Sequence, residues 1–170
     1  MAPLVRRSWA PCGQTPILLQ RTRSHQKISI LAALGVNPAR DQVSLYFRLH
    51  PNQNVRTPLV IDFLRQLRRH LHTPMIVIWD NLTSHRARAL RTWLGRHPGI
   101  HLEFLPPYAP ELNPVEYLWS YLKTNPLANV AATELDPLAE LARHHGRRLQ
   151  RSPRLLRSFL AHSPLSLCLK

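Results

Sequence analysis

Between Pro74 and Asp80 runs MIVIW, five apolar residues without a polar interruption. A strand with one wet face would alternate, and a helix needs a longer stretch, so a short continuous run predicts a strand covered on both faces. Around it the two hydrophobic periods take turns. Residues 27–36 (KISILAALGV) are β-branched and apolar, Asn37-Pro38 signals a turn, and residues 43–49 (VSLYFRL) alternate, which together predict a hairpin. Thr57-Pro58 opens a helix, with Thr as N-cap and Pro at the first helical position, and Leu59, Phe63, Leu64, Leu67 and Leu71 fall on one face. After the apolar run, Thr83 or Ser84 caps a helix to about Arg96, residues 100–105 form a strand, residues 106–110 a proline-rich loop, and Asn113-Pro114 opens a helix to about Lys123. A further short strand is expected at residues 17–20. Strands alternating with helices predict an α/β fold.

Of the 170 residues, 23 are Lys or Arg and 9 are Asp or Glu, a formal charge of +14. Such a surface attracts polyanions. Nucleic acid comes first, because each neutralised phosphate releases counterions; an anionic membrane surface and a merely solvated face give the same charge balance. No apolar run is long enough to span a bilayer, and the Arg-containing start is not followed by an apolar stretch of secretory type. Cys12 and Cys168 form no CxxC spacing, and the ten histidines form no HExxH. Neither a zinc pattern nor a disulfide framework results, which fits a reducing cytoplasm.

Two carboxylates stand out by position. Asp80 directly follows the apolar strand, and strand C-terminal ends in α/β sheets are where functional groups collect. Glu116 follows Asn113-Pro114 at the third helical position. Each also has an ordinary structural reading, Asp80 as a strand end or helix cap and Glu116 as part of a capping box. Converging on one spot, the two would repel unless a cation lay between them. Mg²⁺ or Mn²⁺ suits hard oxygen ligands, and a metal pair can activate a water or a 3′-hydroxyl for phosphodiester chemistry.

IVIWDNLTSHRA, from Ile76 to Ala87, followed by LPPYAPELNPVEYLWSYLK, from Leu105 to Lys123, resembles the second and third signature blocks of DDE transposases. The match is to the bacterial insertion-sequence branch of the Tc/mariner superfamily, the IS-six-thirty group. The second block carries Tyr108, Pro110, Leu112, Asn113, Pro114, Glu116 and Trp119 in the family's order, and the lead-in, hairpin and FLRQL of residues 63–67 extend the resemblance over nearly the whole chain. It implies a ribonuclease-H-like (retroviral-integrase-like) mixed sheet flanked by helices. It also implies two Mg²⁺ or Mn²⁺ ions, hydrolysis at transposon ends and strand transfer into target DNA. Asp80 matches the second catalytic acid and metal ligand, and Glu116 the third. Thirty-five residues separate them, against the family's usual thirty-four.

The family places its first catalytic Asp, at the end of a central strand, shortly before an Arg-Arg-x-Trp-Ala-Pro lead-in. Here that lead-in begins at Arg6, and no acid precedes Asp41. The resemblance therefore implies that residues 1–125 form a partial catalytic domain without its first strand and first Asp, inactive alone. Residues 126–170 form an Arg-rich helical tail. Losing the central strand would expose backbone groups along two neighbours.

Other residues have supporting roles in this reading. Asn81, His85 and Asn113 order the site. Arg86, Arg88, Lys123, Arg147, Arg148, Arg151 and Arg154 contact the DNA backbone. Trp93 and Trp119 are core aromatics, and Tyr108 with Pro106-Pro107 sets the loop path to Glu116. The implied partners are DNA and either a second copy or the segment bearing the first acid, with no membrane; the implied location is the bacterial cytoplasm, at the nucleoid when bound to DNA. Two other functions fit the same features: a non-catalytic DNA-binding fragment that inhibits a transposase, and another ribonuclease-H-like nuclease.

Overall fold

A computed structural model describes residues 6–7, 9–15, 17, 27–130, 134–165 and 169. The strand expected at residues 17–20 falls, but for Ile17, outside them. The hairpin forms as β1 (Ile28–Val36) and β2 (Val43–Pro51), antiparallel and in register from Ile28↔Pro51 to Val36↔Val43. Its turn is closed by Asn37, whose side-chain oxygen accepts from the backbone N–H groups of Asp41 and Gln42, while Arg40 takes a positive φ of 58°. Asp41 is thus a turn residue.

Helix α1 (Thr57–Leu71) buries Val60, Phe63, Leu64 and Leu67, close to the face expected from the sequence. Thr57 is not its N-cap. Arg56, in extended conformation, holds that position, and the Thr57 hydroxyl donates to the Ser84 carbonyl, 3.3 Å away. A tertiary partner has taken the oxygen that local capping would have used. Asp62 is held at 2.5 Å by Arg48 of β2 and at 3.5 Å by Arg65, a structural ion pair.

The apolar run becomes β3 (Met75–Trp79), parallel to β4 (Ile100–Phe104) from Met75↔Ile100 to Trp79↔Phe104. It is covered on one face only. Trp79 is buried, but Ile76 and Ile78 are 69% and 45% exposed. Met75, Val77 and Trp79 face the cluster under α1, whereas α4 and α5 pack on the hairpin. The mixed sheet consists, among the described residues, of two separate ladders, β1-β2 and β3-β4. Helix α1 joins them through one hydrophobic cluster, with Leu31 and Ala33 of β1 on one side and Met75 and Val77 of β3 on the other.

After β3 the expected helix from Thr83 or Ser84 is replaced by a 3₁₀ turn, Thr83–His85, and a short α2 (Arg88–Leu94). The side chains of His85 and Arg86 turn back onto Asp80 and Asn81, and extended Ala87 then restarts the helix. The tighter turn suits a segment whose side chains bond backwards. Helix α3 (Pro114–Thr124) starts as expected, with Asn113 as N-cap accepting from Val115 N–H at 3.1 Å.

Helices α4 (Leu135–Gln150) and α5 (Pro153–His162) complete the second cluster. Leu149, Leu156, Phe159 and Leu160 pack with Val43 and Leu45 of β2 and Leu118 and Leu122 of α3. The buried stripe of α4 is Ala139, Ala142, Gly146 and Leu149, while Leu138 and Leu141 lie at its margin. Phe47 dictates the glycine: a Cβ at Gly146 would meet its ring at 2.4 Å. Trp93 and Trp119 pack against the two clusters as the sequence suggested.

His50 of β2 is buried, and its Nε2 has no hydrogen-bond partner among the described residues. Burial, and then Arg48, push its pKa below the ordinary 6.5, against a smaller upward pull from Asp62. Burial, His144 and Arg148 push His145 the same way. A histidine whose folded pKa is depressed binds fewer protons in the folded chain than in the unfolded one. Its contribution is therefore complete above 6.5 and is lost as pH falls from there toward the folded pKa values. Urea midpoints should drop between about pH 7.5 and pH 5, and His50→Gln should flatten that dependence. An unchanged midpoint across the window would contradict the assignment.

Candidate functional site

The C-terminal ends of β3 and β4 and the start of α3 enclose an open pocket of about 410 Å³, lined by Asp80, Asn81, residues 105–110, Asn113 and Glu116. The two carboxylates singled out by the sequence thus share one cavity. Each is brought there by its element. Asp80 leaves the end of β3, whose Trp79 carbonyl pairs with Leu105 N–H at 2.8 Å, so the strand ends level with the loop mouth. Glu116 lies in the first turn of α3, started by the Asn113 cap and by Pro114. The intervening loop turns sharply at Tyr108, which has φ 59° and is fully exposed. That position shapes the path and presents the ring to solvent.

Asp80 is oriented through one oxygen. Its Oδ1 accepts from Leu82 N–H at 3.1 Å and lies 2.8 Å from His85 Nδ1. Oδ2 has no partner among the described residues, and the side chain is 51% exposed. His85 is itself fixed, its ring stacked on Trp79 with centroids 4.4 Å apart and planes 4° apart. Glu116 has no ion-pair partner among the described residues, although the chain carries a charge of +14. An exposed pair of acids lining one pocket, without an Arg or Lys in its lining, is a donor set for a hard cation. Among the described residues no group of three or more His, Cys, Asp or Glu side chains comes together. Two carboxylates by themselves fall short of a full ligand set for such a cation.

Asn81 reaches across the pocket floor, its amide nitrogen donating to the Leu105 carbonyl at 2.7 Å. Of the cationic residues expected at DNA, Arg86 is bonded to Asn81. Arg88 is exposed on α2, and Lys123 is half-buried in α3. Arg147, Arg148, Arg151 and Arg154 are all exposed around the α4–α5 junction. They form a separate group from the pocket lining. The sequence did not single out Ser163. Buried just beyond α5, its hydroxyl donates to the Leu112 carbonyl at 2.9 Å and so ties the C-terminal helix to the loop that delivers Glu116. Nothing local in the sequence marks such a long-range bond.

The chain has counterparts in sequence and in fold. The chain is 29% identical over 89 residues to an insertion element IS630 uncharacterized 39 kDa protein of Shigella sonnei, a match that takes in 51% of this chain and 26% of that one. It superposes on the Mos1 transposase paired-end complex with left transposon end at TM-score 0.56 and 20% identity, over 95% of this chain and 52% of that one. The Mos1 mariner paired end complex with Mn gives TM-score 0.55 at 19% identity, over 97% and 53%, and the Mos1 strand transfer complex gives 0.56 at 20%, over 96% and 52%. At these identities the solved structures speak for the fold, the ribonuclease-H-like α/β architecture expected from the sequence. The chain spans about a quarter of that curated relative and about half of the Mos1 chains. Residues 2–139 match the model of the DDE superfamily endonucleases, and the chain belongs to that family.

Proposed function

We propose that this chain is part of a DNA transposase, contributing two of the carboxylates for metal-dependent strand cleavage and strand transfer at transposon ends. The observation carrying this reading is that Asp80 and Glu116 line one pocket in a strongly basic chain of the DDE superfamily. In this reading the two carboxylates hold Mg²⁺ or Mn²⁺. When bound, such ions supply Lewis acidity and an activated oxygen nucleophile for attack on a phosphodiester. The chain's own residues orient that site. His85 and Leu82 N–H fix Oδ1 of Asp80, so that Oδ2 is the oxygen that would hold a cation, and Asn113 sets the first turn of α3 and with it Glu116. Asn81 braces the strand end against the loop. Arg86, Arg88, Lys123, Arg147, Arg148, Arg151 and Arg154 take the DNA backbone. The third acid comes from a segment outside the described cluster, either upstream in a longer chain or in an associated partner.

The reading is tested with a labelled duplex carrying the element's terminal repeat. The chain should bind it with strong salt dependence, losing about 10³–10⁵ in affinity between 50 and 200 mM salt if six to ten phosphates are held. With Mg²⁺ or Mn²⁺ it should not turn over by itself. Robust cleavage by the isolated chain would overturn the shared-ligand reading, and salt-independent or absent binding would overturn DNA as the partner. The absence of a three-acid cluster among the described residues also favours a non-catalytic DNA-binding role, in which binding survives Asp80→Ala and Glu116→Ala.

A further inference from the structure

Arg86 is an exposed side chain whose position is nonetheless set by two neighbours, Asn81 and Phe104. Its Nε donates to Asn81 Oδ1 at 3.0 Å, and its Nη2 donates to the same oxygen. Its guanidinium carbon sits 5.4 Å from the centroid of the Phe104 ring. The Asn81 amide cannot be turned round. The Leu105 carbonyl only accepts, so the amide nitrogen must face it, and the oxygen is left for Arg86, which only donates. Asn81 and Leu105 both line the pocket of Asp80 and Glu116, so the guanidinium is anchored to the wall of that pocket. No carboxylate among the described residues pairs with it. With two of the five guanidinium N–H groups on Asn81, three remain.

A cation that is stacked, aimed by a neutral amide and left without a counter-ion is suited to an external anion of fixed geometry, and a phosphate oxygen matches the planar fork. We infer that Arg86 is a phosphate-holding residue at the edge of the acid pocket, gripping one backbone phosphate of the bound DNA strand. Asn81 serves it as a carrier that links β3, β4 and the guanidinium. Phe104, at the end of β4 and 43% exposed, lies under the guanidinium as its cation–π neighbour. This assignment rests on the DNA-binding reading above. It adds that one cation, rather than the general positive field, registers the strand against the pocket.

The test is fluorescence anisotropy of a labelled duplex with the full chain over a salt series. Arg86→Ala should weaken binding about tenfold and lower the slope of log K against log salt by about one phosphate contact. Arg40→Ala, which removes the same charge from the hairpin turn, should change both far less. Arg86→Lys should restore the slope, since one cation returns, but only part of the affinity, since the fork does not. Asn81→Ala should keep the slope and lose affinity, because the charge remains while its aim is lost. Equal behaviour of Arg86→Ala and Arg40→Ala would overturn the phosphate assignment while leaving DNA binding intact. Unchanged affinity in Asn81→Ala would overturn the carrier role. If the unmodified chain shows no salt-dependent binding, the DNA reading fails and this inference with it.

Discussion

Mn²⁺ titrated into the chain should bind at one weak site, and both Asp80→Asn and Glu116→Gln should remove that binding. Each substitution keeps side-chain volume and takes away one negative charge. The groups available to a cation are Asp80 Oδ2, with no partner among the described residues, and the Glu116 carboxylate, which has no ion pair among them. Neither acid alone offers the coordination number that Mn²⁺ or Mg²⁺ demands, so the loss should exceed about a hundredfold, or about 2.7 kcal/mol. His85→Ala should be milder, about tenfold, because the histidine acts by holding Oδ1 of Asp80 rather than by ligation. Asp41→Asn supplies the control: its carboxylate belongs to the hairpin turn and lies outside the pocket. Calorimetry or paramagnetic line broadening reads all four without any catalytic turnover. Retained binding in either acid variant would separate Asp80 and Glu116 and leave the pocket without its shared cation.

How far the sequence anticipated this site depends on the range over which each feature is decided. Asp80 and Glu116 were legible because local rules place them: an apolar run ends at one, and an Asn-Pro helix start delivers the other. The hairpin followed from alternation and the Asn37-Pro38 turn. What failed was set by side-chain partners that propensity and periodicity do not record, some distant in sequence and some only five residues away. Thr57 has the chemistry of an N-cap, yet its hydroxyl went to Ser84. The residues after Thr83 carry helical propensity, yet the pull of Asp80 and Asn81 on His85 and Arg86 favoured a 3₁₀ turn. The five-residue apolar run of β3 looked like a doubly covered strand, and Ile76 and Ile78 are nonetheless open to solvent. Burial on a second face depends on which helices pack where, and a local run carries no record of that. For the same reason the face that α4 buries, Ala139, Ala142, Gly146 and Leu149, depends on β2, whose Phe47 ring lies against Gly146.

Ending the chain at residue 134 should abolish cooperative unfolding, although every motif of the candidate site would still be present. Helices α4 and α5 contribute Ala142, Leu149, Leu156, Phe159 and Leu160 to the cluster that buries Val43, Leu45, Leu118 and Leu122. Leu156 alone has no exposed surface, and truncating such a leucine to alanine costs about 2–5 kcal/mol. Removing several such side chains together exceeds the roughly 5–15 kcal/mol by which a domain is stable. Hydrogen bonds from Gln150 to the Leu45 carbonyl and from Arg157 to the Asp41 carbonyl would also go, leaving the hairpin with α1 on one face and α3 by itself on the other. The consequence reaches the pocket through Ser163, since its bond to the Leu112 carbonyl fixes the loop ahead of Glu116. Ser163→Ala in the full chain should therefore weaken Mn²⁺ binding with only a small change in urea midpoint, whereas the truncated chain should lose both. A truncated chain that unfolds with the same midpoint and binds Mn²⁺ as before would show that the Arg-rich helices are dispensable to the fold. The coupling from C-terminal helix to acid pocket would then be wrong.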